Sequence, residues 1–554
     1  MFQLSATTTV LLLVGFYGLT YLLTRTIREK KENVDGFMVS NNAVGFGISA
    51  ASMTATWVWA ASFYASATSG YTYGLSGPIH YGLWGALMIL CIYPFGRRFR
   101  ELAPRAHTLA EMMRARHGKS SQLILAFSNI AGSVISLTAN FTAAGALVEV
   151  LTPFDFVHGV LAVAIGVLVY TLWSGFRASV LTDFAQLVAM MVAAAIIIPM
   201  VFFAAGGTDL VDEGLRSITD EQADFFSTTA FLEQGAPYLA AVLAYAVGNQ
   251  TIAQRLFAVR KDKIKATFVT ATLGYAGTVI GLGMIGLVAL MIGLEPLNGD
   301  MNNIIPQTAS EYLPAAMIAL LFILVIGSLS STADSDLAAL SSLVMTDIYG
   351  RNVAKRKVKP ETMLLIGRLT MVGATAMGVM IAMTKFDILG LLVFMGGLWG
   401  ALVFPVIVSC FWDRISNAAF TSAALVGVAF FLVSRFEWLP LTGVVGIVME
   451  LAALIGAAVV FGLMAFGFFG KQAGFTIAGI TVVGLAPFVF GFLRDYPTLL
   501  GALVAYGAST VTCVLVTMRN TERYDFALLN ERVTAFQDEE KELTGNGDDP
   551  VATR

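Results

Sequence analysis

The stretch GSLSSTADSDLAALSS, residues 327–342, lies inside an apolar run that extends from Pro314 to Tyr349. At about 3.6 residues per turn, Ser328, Ser331 and Thr332 fall at i, i+3 and i+4 and share one face of a helix. Hydroxyls and carboxylates at membrane depth are costly unless they meet protein, water or an ion. This face is therefore the leading candidate site of the chain, with a cation as its ligand. The competing structural account has the hydroxyls bonding back to i−4 carbonyls while Asp334 and Asp336 reach the cytoplasmic edge.

Working outward, 57% of the 554 residues are hydrophobic and 13% are charged, more apolar length than a soluble core holds. About fifteen segments reach the ~17–25 residues that cross the hydrocarbon layer. The expectation is an all-α polytopic membrane protein with about fifteen transmembrane helices, the lipid bilayer being its main surroundings. With the N-terminus outside and every segment crossing, all 34 Lys and Arg residues except Arg216, Lys385, Arg435 and Arg494 fall on inward-facing stretches. That asymmetry predicts a cell-membrane protein with a cytoplasmic C-terminus.

The first apolar segment lacks a basic leader and a small-residue cleavage site, so it reads as a retained helix. Cys91, Cys410 and Cys513 lie in apolar segments with no metal-binding spacing and read as buried thiols. The tail after Arg519 begins with helical apolar spacing and ends acidic, which predicts a cytoplasmic amphipathic piece followed by disorder. Nothing points to a nucleic acid, an obligate protein partner or a soluble enzymatic domain. With four His and no nucleophile–base–orienter arrangement, the expectation is that the chain is not an enzyme.

Residues 42–73 are dense in Gly, Ala, Ser and Thr around Trp57 and Trp59. Small residues allow close helix packing, and they also tolerate a break whose freed carbonyls line a cavity. Both readings stand on composition alone.

Four elements then carry a family resemblance: TLAEMMRARHG (108–118), YTLWSGFRASVLTDFAQ (170–186), AVGNQTIAQRLFAVRKDKIKA (246–266) and the hydroxyl run closing on MTDIYG (345–350). In this order they resemble the sodium/solute symporter family over residues 36 to about 411. TATWVWAAS (54–62) followed by YTYGLSGPIHY (71–81) is similar to the urea active transporter branch, although Ile79 and His80 stand where that branch usually has aromatics.

The resemblance implies a 5+5 inverted-repeat (LeuT-type) core with peripheral helices. The expected boundaries are 1–36 for an N-terminal helix and loop, 37–205 and 206–411 for the two repeats, 412–518 for peripheral helices and 519–554 for the tail. Substrate and ion then sit near the midplane at broken helices. Carried over by motif, a Na+ site would join the carbonyls of Ser52, Ala55 and Ser328 to the hydroxyls of Ser331 and Thr332. Asp183 matches a family acid linked to sodium dependence; ion binding, a proton relay and simple pairing with Arg177 are all open to it. Asp334 and Asp336 are candidates for the ion pathway, and Asp336 has a salt bridge to the Arg255–Lys265 loop as its alternative.

Candidate solute contacts are Thr54, Trp57, Trp59, His80, Tyr81, Tyr245 and Asn249, Tyr245 aligning with a family tyrosine that closes the cavity toward the cytoplasm. A flat amide needs acceptors, a donor and an aromatic wall, and no Lys or Arg is expected in the cavity. The expected activity is sodium-coupled import of a small polar solute, urea or a related amide first. Alternatives are proton coupling, sodium symport of proline, a short monocarboxylate or a polyamine, and a facilitator or channel.

Overall fold

The computed structural model describes residues 2–27, 45–172, 175–354 and 359–544, so the loop 28–44 lies outside the described residues. Helices build the molecule, and no β-strand occurs among the described residues. A peripheral α1 (Ala6–Ile27) precedes a first set: α2 (Phe46–Trp57) with α3 (Ala60–Tyr73), then α4 (Ser76–Leu102), the short α5 (Leu109–Arg116), α6 (Lys119–Leu151), α7 (Phe156–Thr171) and α8 (Gly175–Ala204). A second set repeats the order: α9 (Ala236–Ala241), α10 (Ala244–Gly248) and α11 (Gln250–Ala258), then α12 (Ile264–Met291), α13 (Ala315–Ser342), α14 (Pro360–Ala382) and α15 (Ile388–Val408). Outside this core lie α16 (Asn417–Arg435), α17 (Gly443–Phe469), α18 (Lys471–Val489), α19 (Pro497–Met518) and the tail helix α20 (Ala527–Thr544).

Each set opens on an interrupted element and continues with four helices, ignoring the short α5. The matching members pack on one another across the sets: α4 on α12, α6 on α13 and α7 on α14. Such self-matching contacts are what a pseudo-two-fold relation between five-helix repeats produces.

Twelve helices among the described residues are long and apolar enough to cross a membrane, fewer than the segments counted from hydropathy. The difference lies in three segments. Residues 44–66 and 234–254 are broken helices, and α7 is only 16 residues long. Sliding hydropathy counts an interrupted segment as one span because it weighs side chains and not backbone continuity.

Small residues set the closeness of the packing. A Cβ on Gly286 would meet the Ala67 carbonyl oxygen at 1.9 Å, so α12 approaches α3 backbone to backbone. Exposed Leu, Val, Ile and Phe on α1, α8 and α18, including Leu11, Val192 and Val483, form the outer apolar surface, as lipid contact requires. The tail helix packs on α5 and α4: Leu529 and Val533 are buried, and the Arg116 guanidinium lies 4.0 Å over the Tyr524 ring.

Candidate functional site

The first break is held open by hydroxyls. Val58 leaves helical geometry (φ −82°, ψ 57°) and Trp59 is extended before α3 begins. The carbonyls freed there find partners: Ser62 Oγ donates to Trp57 O (3.3 Å) and Ser328 Oγ donates to Val58 O (2.9 Å). Unwound backbone at membrane depth persists only when its polar groups are satisfied in this way. The hydroxyl face of α13 thus lies against the interruption. In the second repeat the chain breaks at Asn249 (φ −107°, ψ 108°), whose Oδ1 caps α11 by accepting from Thr251 N at 2.9 Å.

Behind the first break lies a buried ion-pair network. Asp183 Oδ2 accepts from Ser52 Oγ (2.6 Å) and Arg255 Nη2 (2.8 Å), and its Oδ1 accepts from Ser331 Oγ. Arg255 also donates to Ser52 Oγ (3.0 Å), Thr251 O (3.1 Å) and Ser335 Oγ (2.7 Å). Both charges have well-aligned partners, the condition under which a buried pair is tolerated. Four elements, α2, α8, α11 and α13, are joined through it.

Arg255 is therefore a helical residue buried in the core and not part of a cytoplasmic loop. It pairs with Asp183, not with Asp336, because α11 turns its guanidinium toward α2 and α8. The Arg177 side chain, the alternative partner for Asp183, lies outside the described residues. Asp334 joins the edge of this network, accepting from Tyr170 Oη (2.8 Å), Ser179 Oγ (2.6 Å) and Ser335 Oγ (3.3 Å), the hydroxyl to which Arg255 also donates.

A cavity of about 500 Å³, counting its open mouth, lies beside both breaks. Trp57, Trp59, Tyr81, Tyr245, Asn249, Thr332 and Asp336 line it. Thr56, Ser62, Ser136, Tyr238, Thr251 and Tyr275 line it too, and sequence reasoning missed these. Trp57 packs against Tyr245 (ring centroids 5.7 Å apart) and edge-on to Tyr275 (6.2 Å), while Tyr81 packs on Tyr238 at 4.8 Å. Tyr245 Oη donates to Leu392 O at 3.2 Å. Thr332 Oγ1 and Trp57 Nε1 are buried without a hydrogen-bond partner.

Thr54 and His80 lie elsewhere. Thr54 Oγ1 donates to Ala50 O (2.8 Å) and its methyl faces Gly274. His80 accepts from Trp84 Nε1 at 3.1 Å and packs on Phe226 and Phe231. The reason is helical phase: one residue along is ~100° around, so Tyr81 faces the cavity and its neighbour does not. Thr56, two residues after Thr54, takes the cavity position instead.

The oxygens at the proposed ion position are partly committed. Ser52 O accepts from Thr56 Oγ1 (2.8 Å) and Ser331 spends its proton on Asp183, which leaves its lone pairs for a cation. Thr332 Oγ1 has no hydrogen-bond partner among the described residues. An all-oxygen donor set beside a neutralised carboxylate suits a hard monovalent cation.

Residues 37–427 match the model of the sodium:solute symporter family. The chain belongs to that family. As a family member it is 25% identical to the sodium/pantothenate symporter of Escherichia coli, over 75% of this chain and 87% of that one. It is 24% identical to probable urea active transporter 1 of Schizosaccharomyces pombe, over 77% of this chain and 68% of that one. A solved Na+-coupled sialic acid symporter, substrate-bound and outward-open, superposes with a TM-score of 0.65 at 19% identity, covering 86% of this chain and 98% of that chain. The symporter's fold is thus the inverted-repeat transporter fold, and the urea transporters are among its relatives.

Of the missed residues, Tyr275 stood in the glycine-rich LGYAG and Ser136 in the polar SVISLTAN of otherwise apolar helices. Both could have been found as polar interruptions, though not assigned to a common cavity.

Proposed function

We propose that this family member is a sodium-coupled symporter that imports a small polar solute, urea or a related amide first, with its N-terminus outside and its C-terminus in the cytoplasm of the cell membrane. The observation that carries the reading is the contact of the interrupted helix with the hydroxyl face of α13, where Thr332 offers a buried, unpartnered oxygen to the aromatic-lined cavity. Sodium is the co-transported substrate, with Ser52, Ala55, Ser328, Ser331 and Thr332 as the oxygens assigned to it. Asp183 acts through Ser331 and Ser52, fixing both while Arg255 balances its charge.

Coupling follows from geometry. Thr332 belongs to the ion position and to the cavity wall at once, so a cation drawn there fixes the break that carries Trp57 and Trp59. Each ligand then raises the other's affinity by the same factor. The cavity supplies what an amide needs: Asn249 and Thr251 as hydrogen-bonding groups, Trp57 and Trp59 as walls.

Proton coupling is the second reading. Arg255 already neutralises Asp183, which removes that carboxylate from the simple proton carriers and leaves Asp336. The deciding experiment is uptake of labelled urea, proline, acetate and putrescine into proteoliposomes under sodium, potassium or pH gradients. Uptake against the solute gradient that needs inward sodium supports the proposal. Sodium gradients that change nothing for any solute overturn it, and uptake that follows pH alone replaces it with proton symport.

A further inference from the structure

Among the described residues, Asp336 is the one carboxyl group on the cavity wall, and the lining includes no Lys, Arg or His. It is buried, accepts a hydrogen bond from Ser136 Oγ, and has no ion-pair partner among the described residues. The neighbouring cation, Arg255, is spent on Asp183, Ser52, Thr251 and Ser335. A carboxylate taken out of water and held by hydroxyls alone lacks its counter-charge. The hydroxyl of Thr332, buried and without a hydrogen-bond partner among the described residues, stands on the same wall and offers a second oxygen acceptor there. Around them stand the aromatic side chains of Trp57, Trp59 and Tyr245, residue types whose ring faces attract an organic cation.

We propose that this cavity is built for a positively charged N–H donor, an alkylammonium or guanidinium group with Asp336 as its counter-charge, and that neutral amides such as urea occupy it as weaker substitutes. The inference rests on the assignment of this cavity as the solute site. An ammonium or guanidinium hydrogen satisfies the carboxylate with a charge-assisted bond, about twice as strong as a neutral one, and places the charge among the rings. Urea offers the N–H groups without the charge. Asp336 thus belongs to solute recognition and not to an ion exit path.

The test uses the full-length protein in detergent at constant sodium, with potassium chloride holding the ionic strength. Intrinsic tryptophan fluorescence, to which Trp57 and Trp59 contribute, is titrated with methylguanidinium, putrescine and urea. The expected result is a Kd for at least one cation about tenfold or more below that for urea, the factor that ~1.4 kcal/mol carries. Asp336→Asn is expected to raise the cation Kd at least tenfold and by a larger factor than it raises the urea Kd, and Asp336→Glu to keep the cation preference. Urea binding as tightly as both cations in the parent protein overturns the proposal whether or not the variants fold. So does Asp336→Asn with unaltered cation binding, or one that loses sodium affinity alone. Proteoliposome uptake separates this failure from that of symport: sodium-driven urea uptake untouched by the cations sinks the cation site only. Tight, Asp336-dependent cation binding without sodium-driven uptake sinks the symport reading only.

Discussion

Thr332→Val separates ion binding from packing, because the two effects on stability have opposite signs. Thr332 is 4% exposed and its hydroxyl makes no hydrogen bond, and such an unsatisfied buried group costs about 1–3 kcal/mol. Valine keeps the branched shape and removes the hydroxyl. Without sodium the variant is therefore expected to be more stable than the parent by about 1–2 kcal/mol. Sodium at a hundredfold excess over its Kd stabilises the parent by about 2.7 kcal/mol. Loss of one oxygen facing the ion, valued like a hydrogen bond to a charged group at about 1.5–3 kcal/mol, raises Kd roughly ten- to a hundredfold. The sodium increment then falls to about 0.4–1.4 kcal/mol. The assay is unfolding by SDS titration of detergent-solubilised protein in sodium or potassium chloride at equal ionic strength. A variant that is less stable in potassium and keeps the whole sodium increment refutes the reasoning and removes Thr332 from the ion position.

Arg255→Gln leaves the Asp183 carboxylate buried without its cation and is expected to cost about 3–5 kcal/mol. Adding Asp183→Asn should recover much of that loss in the same unfolding assay, and strict additivity of the two changes argues against the pair. Glu450, fully buried in α17, holds Arg494 through two hydrogen bonds (2.9 and 2.8 Å) and caps Gly491 N at 2.7 Å. Glu450→Gln is expected to lower stability by about 1–3 kcal/mol without altering sodium dependence, and an unchanged unfolding midpoint contradicts this. His117, at the end of α5, is held neutral to well below the ordinary imidazole range, first by burial and then by Arg116. The unfolded chain thus binds a proton that the native one refuses, so stability contributed above pH ~6.5 is lost as pH falls through that value toward the native pKa. His117→Gln should flatten the pH dependence of the unfolding midpoint below pH ~6.5, and an unaltered slope excludes His117 as its source.

The interrupted first helix was legible because small residues crowd around two tryptophans, and the hydroxyl face of α13 because its spacing is helical. Arg255 was misread for a physical reason. It stands five residues before a basic stretch, Arg260–Lys265, and by linear position belongs to the cytoplasmic side. Its partners Asp183 and Ser335 lie 72 and 80 residues away, a pairing that no local pattern encodes. Thr54 and His80 failed on phase, since one residue along a helix is ~100° around its axis and the sequence does not say which face meets the cavity.

What the sequence determined by itself is the set of apolar segments, the hydroxyls at i, i+3 and i+4, and the family motifs, all local properties of composition and period. Only the tertiary structure decided which carboxylate meets which cation. It assigns Arg255 to Asp183 and leaves Asp336 on the cavity wall with no ion-pair partner among the described residues. Charges in a low-dielectric interior are settled by distance across helices, and distance is the quantity a linear chain does not carry.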